Sequence, residues 1–119
     1  GRRAAPVGVR FLKPMRHFKP GELAAYLAQG HTPQLLDVRE PWEFDVCKLA
    51  GAKLVPMRDL PARAGELDKN AEIVVICHHG VRSYHAARYL ETLGFDNVVN
   101  LSGGVAAWAD EVDPAMPRY

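Results

Sequence analysis

Four consecutive apolar residues, Ile73–Val74–Val75–Ile76, run directly into Cys77–His78–His79–Gly80–Val81–Arg82–Ser83. A helical pattern follows, with Ala86, Ala87, Leu90 and Leu93 on one face. No other stretch constrains the chain as much. The short β-branched run reads as the central strand of a sheet. A strand, a tight glycine loop and a helix in that order aim the loop amides and the helix N-terminus at one point. An anion fits at that point, and a thiol at the strand end lies beside it. Such surroundings favour thiolate over thiol, which makes Cys77 a candidate nucleophile. The alternative is a small buried cysteine at a strand end, a common place for a free thiol.

The rest of the chain supplies the layers around that strand. Arg16–His17–Phe18 reads as an edge strand. Pro20 opens a helix at a first-turn position, where its missing N–H costs nothing, and Gly30 stops it. Further strands are expected over 34–38, 53–55 and 98–101, with the central one over 72–76. Short helical segments are expected over 40–44 and 59–67, a longer one over 84–93, and a last one after Gly103–Gly104 that carries Val105, Ala106 and Trp108. Trp42 and Phe44 are expected to cap the core. Strands alternating with helices predict an α/β fold with a central, mostly parallel five-stranded sheet flanked by helices. Ligands of such sheets sit beyond the carboxyl ends of the strands, where Cys77 falls. We read residues 1–15 as a flexible arm, 16–112 as one domain and 113–119 as an irregular tail.

Composition narrows the function. The 119 residues carry a net charge of +1, which gives no electrostatic case for nucleic acid. No apolar run approaches the length needed to span a bilayer. Two cysteines, Cys47 and Cys77, do not make a disulfide framework, so a reducing, cytoplasmic setting is expected.

Three ordered motifs now bear on identity. Leu36–Asp37–Val38–Arg39–Glu40, then Glu43–Phe44 and Gly51–Ala52, resemble the first signature of the rhodanese-like, single-domain sulfurtransferase family. The 77–83 loop resembles its active-site loop. Gly94–Phe95, Val98, Leu101, Gly103–Gly104 and Ala107–Trp108 resemble its closing signature. The resemblance implies a small α/β domain that moves sulfane sulfur through a cysteine persulfide, with no other cofactor. The donor would be an anion such as thiosulfate. The acceptor would be cyanide in the test reaction, and a thiol or protein otherwise. By position Cys77 would carry the persulfide, and the backbone amides of His78, His79, Gly80, Val81 and Arg82 would ring its outer sulfur. Asp37 and Arg39 match an acid–base pair that supports the loop. The chain departs from the family at Cys47–Lys48–Leu49–Ala50–Gly51–Ala52, where Gly-His-Ile-Pro-Gly-Ala is usual.

The loop residues carry separate expectations. Anion-holding amides act as an oxyanion hole does, and Gly80 lets them converge. Arg82 would either attract an anionic donor or only solubilise the helix start. Ser83 is expected to cap the helix N-terminus, with lining of the loop as the alternative. His78 and His79 are expected at the pocket rim and His85 on the surface. No Cys-x-x-Cys or spaced histidine pair supports a metal site. Cys47 reads as a packing residue. Two rival functions share the fold: a cysteine phosphatase or arsenate reductase, and a non-catalytic sulfur-carrier or binding module. The Cys-x4-Arg spacing is one residue shorter than the Cys-x5-Arg of the first, and the retained Cys77 argues against the second.

Overall fold

The computed structural model describes residues 14–119. Most of the expected arm, residues 1–13, therefore lies outside the described residues; Met15 packs against the core. Five strands form one sheet: β1 (Arg16–Phe18), β2 (Gln34–Asp37), β3 (Lys53–Leu54), β4 (Ile73–Ile76) and β5 (Val98–Leu101). Their order is β1-β5-β4-β2-β3, and all four pairings are parallel. The expected mostly parallel sheet is thus wholly parallel, as helical crossovers between every pair of strands require. Those crossovers are α1 (Pro20–Ala28), α2 (Pro41–Val46), α3 (Leu60–Arg63, with a 3-10 turn on either side) and α4 (Val81–Thr92); a last helix, α5 (Gly104–Glu111), follows β5.

The central strand β4 is buried along its whole length. Its side chains alternate between the two faces, as the pleat dictates. Ile73 and Val75 join Leu36, Leu60, Ala86, Ala87 and Leu90 beneath α3 and α4. Val74 and Ile76 join Leu23, Val99, Leu101, Val105 and Ala109 beneath α1 and α5. At roughly 25 cal/mol for each Å² of apolar surface removed from water, these two layers supply most of the driving force for folding.

One expectation is corrected here. Trp42 does not cap the core: it is 60% exposed. Helix α2 has one buried residue, and that is Glu43. The stretch after α5 has neither helix nor strand but folds back along the sheet's carboxyl edge. Val112 and Asp113 donate to the Trp108 carbonyl at 2.8 and 3.0 Å, and Met116 is buried in the second layer. Arg118 pairs with Asp110, and Tyr119 lies beyond the ends of β2 and β4, against Arg39, Glu43 and His78.

Candidate active site

Cys77 follows β4 directly, at the carboxyl edge of the sheet, and is 1% exposed. The loop after it is held from two sides. Val105 and Ala106, in the first turn of α5, donate their amides to the carbonyls of Cys77 and His78 at 2.9 and 3.0 Å. These two carbonyls therefore face α5. On the other side, the Gly80 amide donates to the Cys77 sulfur at 3.1 Å. Gly80 is also the N-cap of α4, with φ of 93°. A Cβ there would lie 2.9 Å from the Gly103 nitrogen, so glycine is required on both conformational and steric grounds. Gly104 is as tightly placed, because its Cβ would lie 2.4 Å from the carbonyl oxygens of Cys77 and His78.

Helix α4 begins at Val81, so Val81, Arg82 and Ser83 form its first turn. Ser83 does not cap the helix. It lies within the first turn, fully buried, and its Oγ sits 3.2 Å from the Cys77 sulfur. The Cys77 thiol donates to Ser83 Oγ, and the Ser83 hydroxyl donates to Asn100 Oδ1 at 2.6 Å. Asn100 Nδ2 in turn donates to the Gly80 carbonyl at 3.2 Å. That last bond fixes which end of the amide faces Ser83. The ring closes through Gly80 back onto the sulfur. Sequence reasoning missed Asn100, although an amide inside the otherwise apolar β5 is a visible signal.

Arg82 points at a carboxylate. Its Nη1 and Nη2 each donate to Glu43 at 2.8 Å, in the planar two-point geometry that guanidinium favours. Glu43 also accepts from the Glu40 amide and from the Tyr119 hydroxyl, both at 2.9 Å. The Arg82 bonds come first among the causes that hold the Glu43 carboxyl down at about 2, against the opposing effect of burial. Glu43 and Tyr119 went unrecognised as site residues in the sequence. The spacing of their partners hides them: Arg82 lies 39 residues from Glu43, and Tyr119 lies 76.

Asp37 and Arg39 are both fully buried and paired at 2.7 Å. Arg39 also donates to the Cys47 carbonyl at 2.6 Å and to the Tyr119 hydroxyl at 2.9 Å. Burial is the largest single influence and works against its charge, but the bonds to Asp37 and Tyr119 and the Asp37 charge together outweigh it, and the guanidinium's pKa is raised. The pair fastens the end of β2 to the end of α2. His78 stacks on the Tyr119 ring at 4.0 Å and lies tilted against the His79 ring at 3.9 Å. Burial, and then the neighbouring His79, push its pKa down, so the neutral imidazole is favoured. His79 and His85 are exposed. Cys47 is buried in the second layer. A cleft of about 160 Å³ borders the loop at His78 and His79, walled by Cys47, Val105, Ala106 and Tyr119. Among the described residues, no group of three or more His, Cys, Asp or Glu is placed to hold a metal ion.

Comparison with known proteins agrees with the fold. The family model for the rhodanese-like domain matches residues 19–111. A probable adenylyltransferase/sulfurtransferase, MoeZ, from Mycobacterium tuberculosis is 36% identical over 102 residues, covering 84% of this chain and 26% of that protein. The chain thus spans about a quarter of that relative's length. A sulfurtransferase from Allochromatium vinosum is 38% identical over 87 residues, covering 73% of this chain and 81% of that protein. The crystal structure of a rhodanese-like domain protein from Staphylococcus aureus superposes with a TM-score of 0.76 at 36% identity, covering 82% of this chain and 95% of that one.

Proposed function

The chain belongs to the rhodanese-like domain family, and we propose that it is a sulfurtransferase that carries sulfane sulfur as a persulfide on Cys77. The Cys77 thiolate attacks the sulfane sulfur of a donor, of which thiosulfate is the simplest. The bond from that sulfur to the rest of the donor breaks, and its electron pair leaves with the donor, as sulfite in the case of thiosulfate. The outer sulfur of the new persulfide is held by loop amides and by the N-terminal end of α4. A thiophilic acceptor then attacks the outer sulfur, and the Cys77 thiolate leaves. The acceptor is cyanide in a test reaction, and a thiol or a protein in the cell.

One observation carries this reading. The Gly80 amide meets the Cys77 sulfur at 3.1 Å within a loop whose carbonyls at 77 and 78 are tied away from it. A short loop of this kind suits a single sulfur atom. The relatives named as sulfurtransferases support the same chemistry. Intact mass after exposure to a sulfane donor tests it. One sulfur atom should be gained, lost again with dithiothreitol, and absent from Cys77→Ser. A wild-type chain that gains nothing from any donor, or a Cys77→Ser chain that gains as much, removes the proposal.

A further inference from the structure

Among the described residues, the guanidiniums around Cys77 are each matched by a carboxylate. Arg82, the guanidinium on the loop itself, has both terminal nitrogens on Glu43. Arg39 is matched by Asp37, and Arg118, on the rim of the adjoining cleft, by Asp110. His78 lies against Tyr119 and is favoured as the neutral ring. Among the described residues, the attraction left for an anion comes from loop amides and the N-terminal end of α4, roughly half an elementary charge.

That is too little for some donors and enough for others. Attack of the Cys77 thiolate on thiosulfate brings three negative charges together, and they leave as the persulfide anion and sulfite. Attack on a hydropersulfide, R–S–SH, brings one. The new sulfur–sulfur bond forms at the terminal sulfur, the old one breaks, and R–S⁻ departs with the electron pair. Charge repulsion in a site shielded from water separates these two cases. The cleft beside His78, with its apolar and aromatic walls, also has room for an organic group that thiosulfate lacks.

We infer that the preferred sulfur donor is a thiol-borne persulfide of low charge, and that Glu43 sets this preference by occupying Arg82. Glu43 touches no reacting atom; it is a specificity-determining residue acting through Arg82. The inference rests on the persulfide chemistry proposed for Cys77.

The test compares loading of Cys77 from thiosulfate and from the persulfide of N-acetylcysteamine, an uncharged thiol, by rapid-quench mass spectrometry at low and physiological ionic strength. In the wild-type chain, the persulfide should load faster, and added salt should not slow thiosulfate. Glu43→Gln frees Arg82 and should shift the ratio of the two rates toward thiosulfate by about tenfold. Thiosulfate loading should then become sensitive to salt. If Glu43→Gln fails to fold, the wild-type salt dependence decides. Thiosulfate loading that is faster than persulfide loading and falls with salt in the wild type overturns the inference but leaves the Cys77 chemistry standing. So does an unchanged ratio in a folded Glu43→Gln chain. Loading from neither donor overturns that chemistry itself.

Discussion

The Ser83 hydroxyl lies 3.2 Å from the Cys77 sulfur, and neither residue is open to solvent. In the resting thiol, Cys77 donates to Ser83, and the Ser83 proton is turned toward Asn100. Once the sulfur ionises it needs donors, and the Ser83 hydroxyl can supply one only by leaving Asn100.

Removing the hydroxyl should therefore affect two groups. Ser83→Ala leaves Asn100 Oδ1 buried without its donor, at a cost of about 1–3 kcal/mol. Asn100→Leu should be destabilising as well, since it strips a partner from Ser83 and from the Gly80 carbonyl. The double variant should cost less than the sum, because the groups that would be left unpaired are then gone. Urea denaturation of the four chains measures this. Additive costs would show that the hydroxyl and the amide act independently.

The ion pair between Glu43 and Arg82 gives a pH dependence whose sign is fixed. The folded-state carboxyl sits at about 2, below the 4.5 of an unperturbed one. A depressed carboxylate contributes stability above the unfolded value and loses it as pH falls toward the folded one. Glu43→Gln should therefore cost on the order of 2 kcal/mol at neutral pH, less than the full shift implies because Arg82 is partly exposed. The difference from wild type should shrink between pH 4.5 and 2. Denaturation midpoints at several pH values check it, and a difference that does not change with pH would count against the pair.

Glycine at 104 is held by contact. Gly104→Ala would push a Cβ into the carbonyls of Cys77 and His78, which α5 binds through Val105 and Ala106. A loss of more than about 2 kcal/mol is expected, together with slower sulfur loading in the fraction that folds. Gly21→Ala is the control. Nothing lies within 4 Å of its Cβ, so a neutral or slightly favourable change is expected.

Much of this architecture was legible. The apolar run at 73–76 marks β4 because only a central strand can bury four β-branched side chains in sequence on two faces. The loop at 77–83 marks the nucleophile because glycine, cysteine and the following helix are local neighbours. The helix begins earlier than its apolar face suggests, since Val81, Arg82 and Ser83 are chosen for the loop rather than for the core. Partners distant in sequence were hidden. Glu43 reads as one more acidic residue of a short helix until Arg82 and Tyr119 are brought to it. Trp42 reads as core by its chemistry, but α2 turns Glu43 inward and leaves Trp42 edge-on to the Tyr119 ring. The last residues read as an irregular tail, and nothing in their composition says that the segment runs back to the site.

Tyr119 offers a separation of packing from hydrogen bonding. Its ring stacks on His78, and its hydroxyl joins Arg39 to Glu43. Tyr119→Phe keeps the ring and removes the two hydroxyl bonds. Tyr119→Ala removes both and opens His78 to water. Burial is the first cause of the low pKa of His78, so the midpoint should rise in Tyr119→Ala and stay low in Tyr119→Phe. Titration of the histidine ring resonances by NMR reads the two variants directly. The consequence reaches the chemistry, because a charged His78 would add an unmatched cation beside a site whose guanidiniums are already paired. Sulfur loading from a dianion should then gain more in Tyr119→Ala than in Tyr119→Phe as pH falls through the new midpoint. An unmoved His78 midpoint in Tyr119→Ala would show that the loop, rather than the stacked ring, keeps that imidazole neutral.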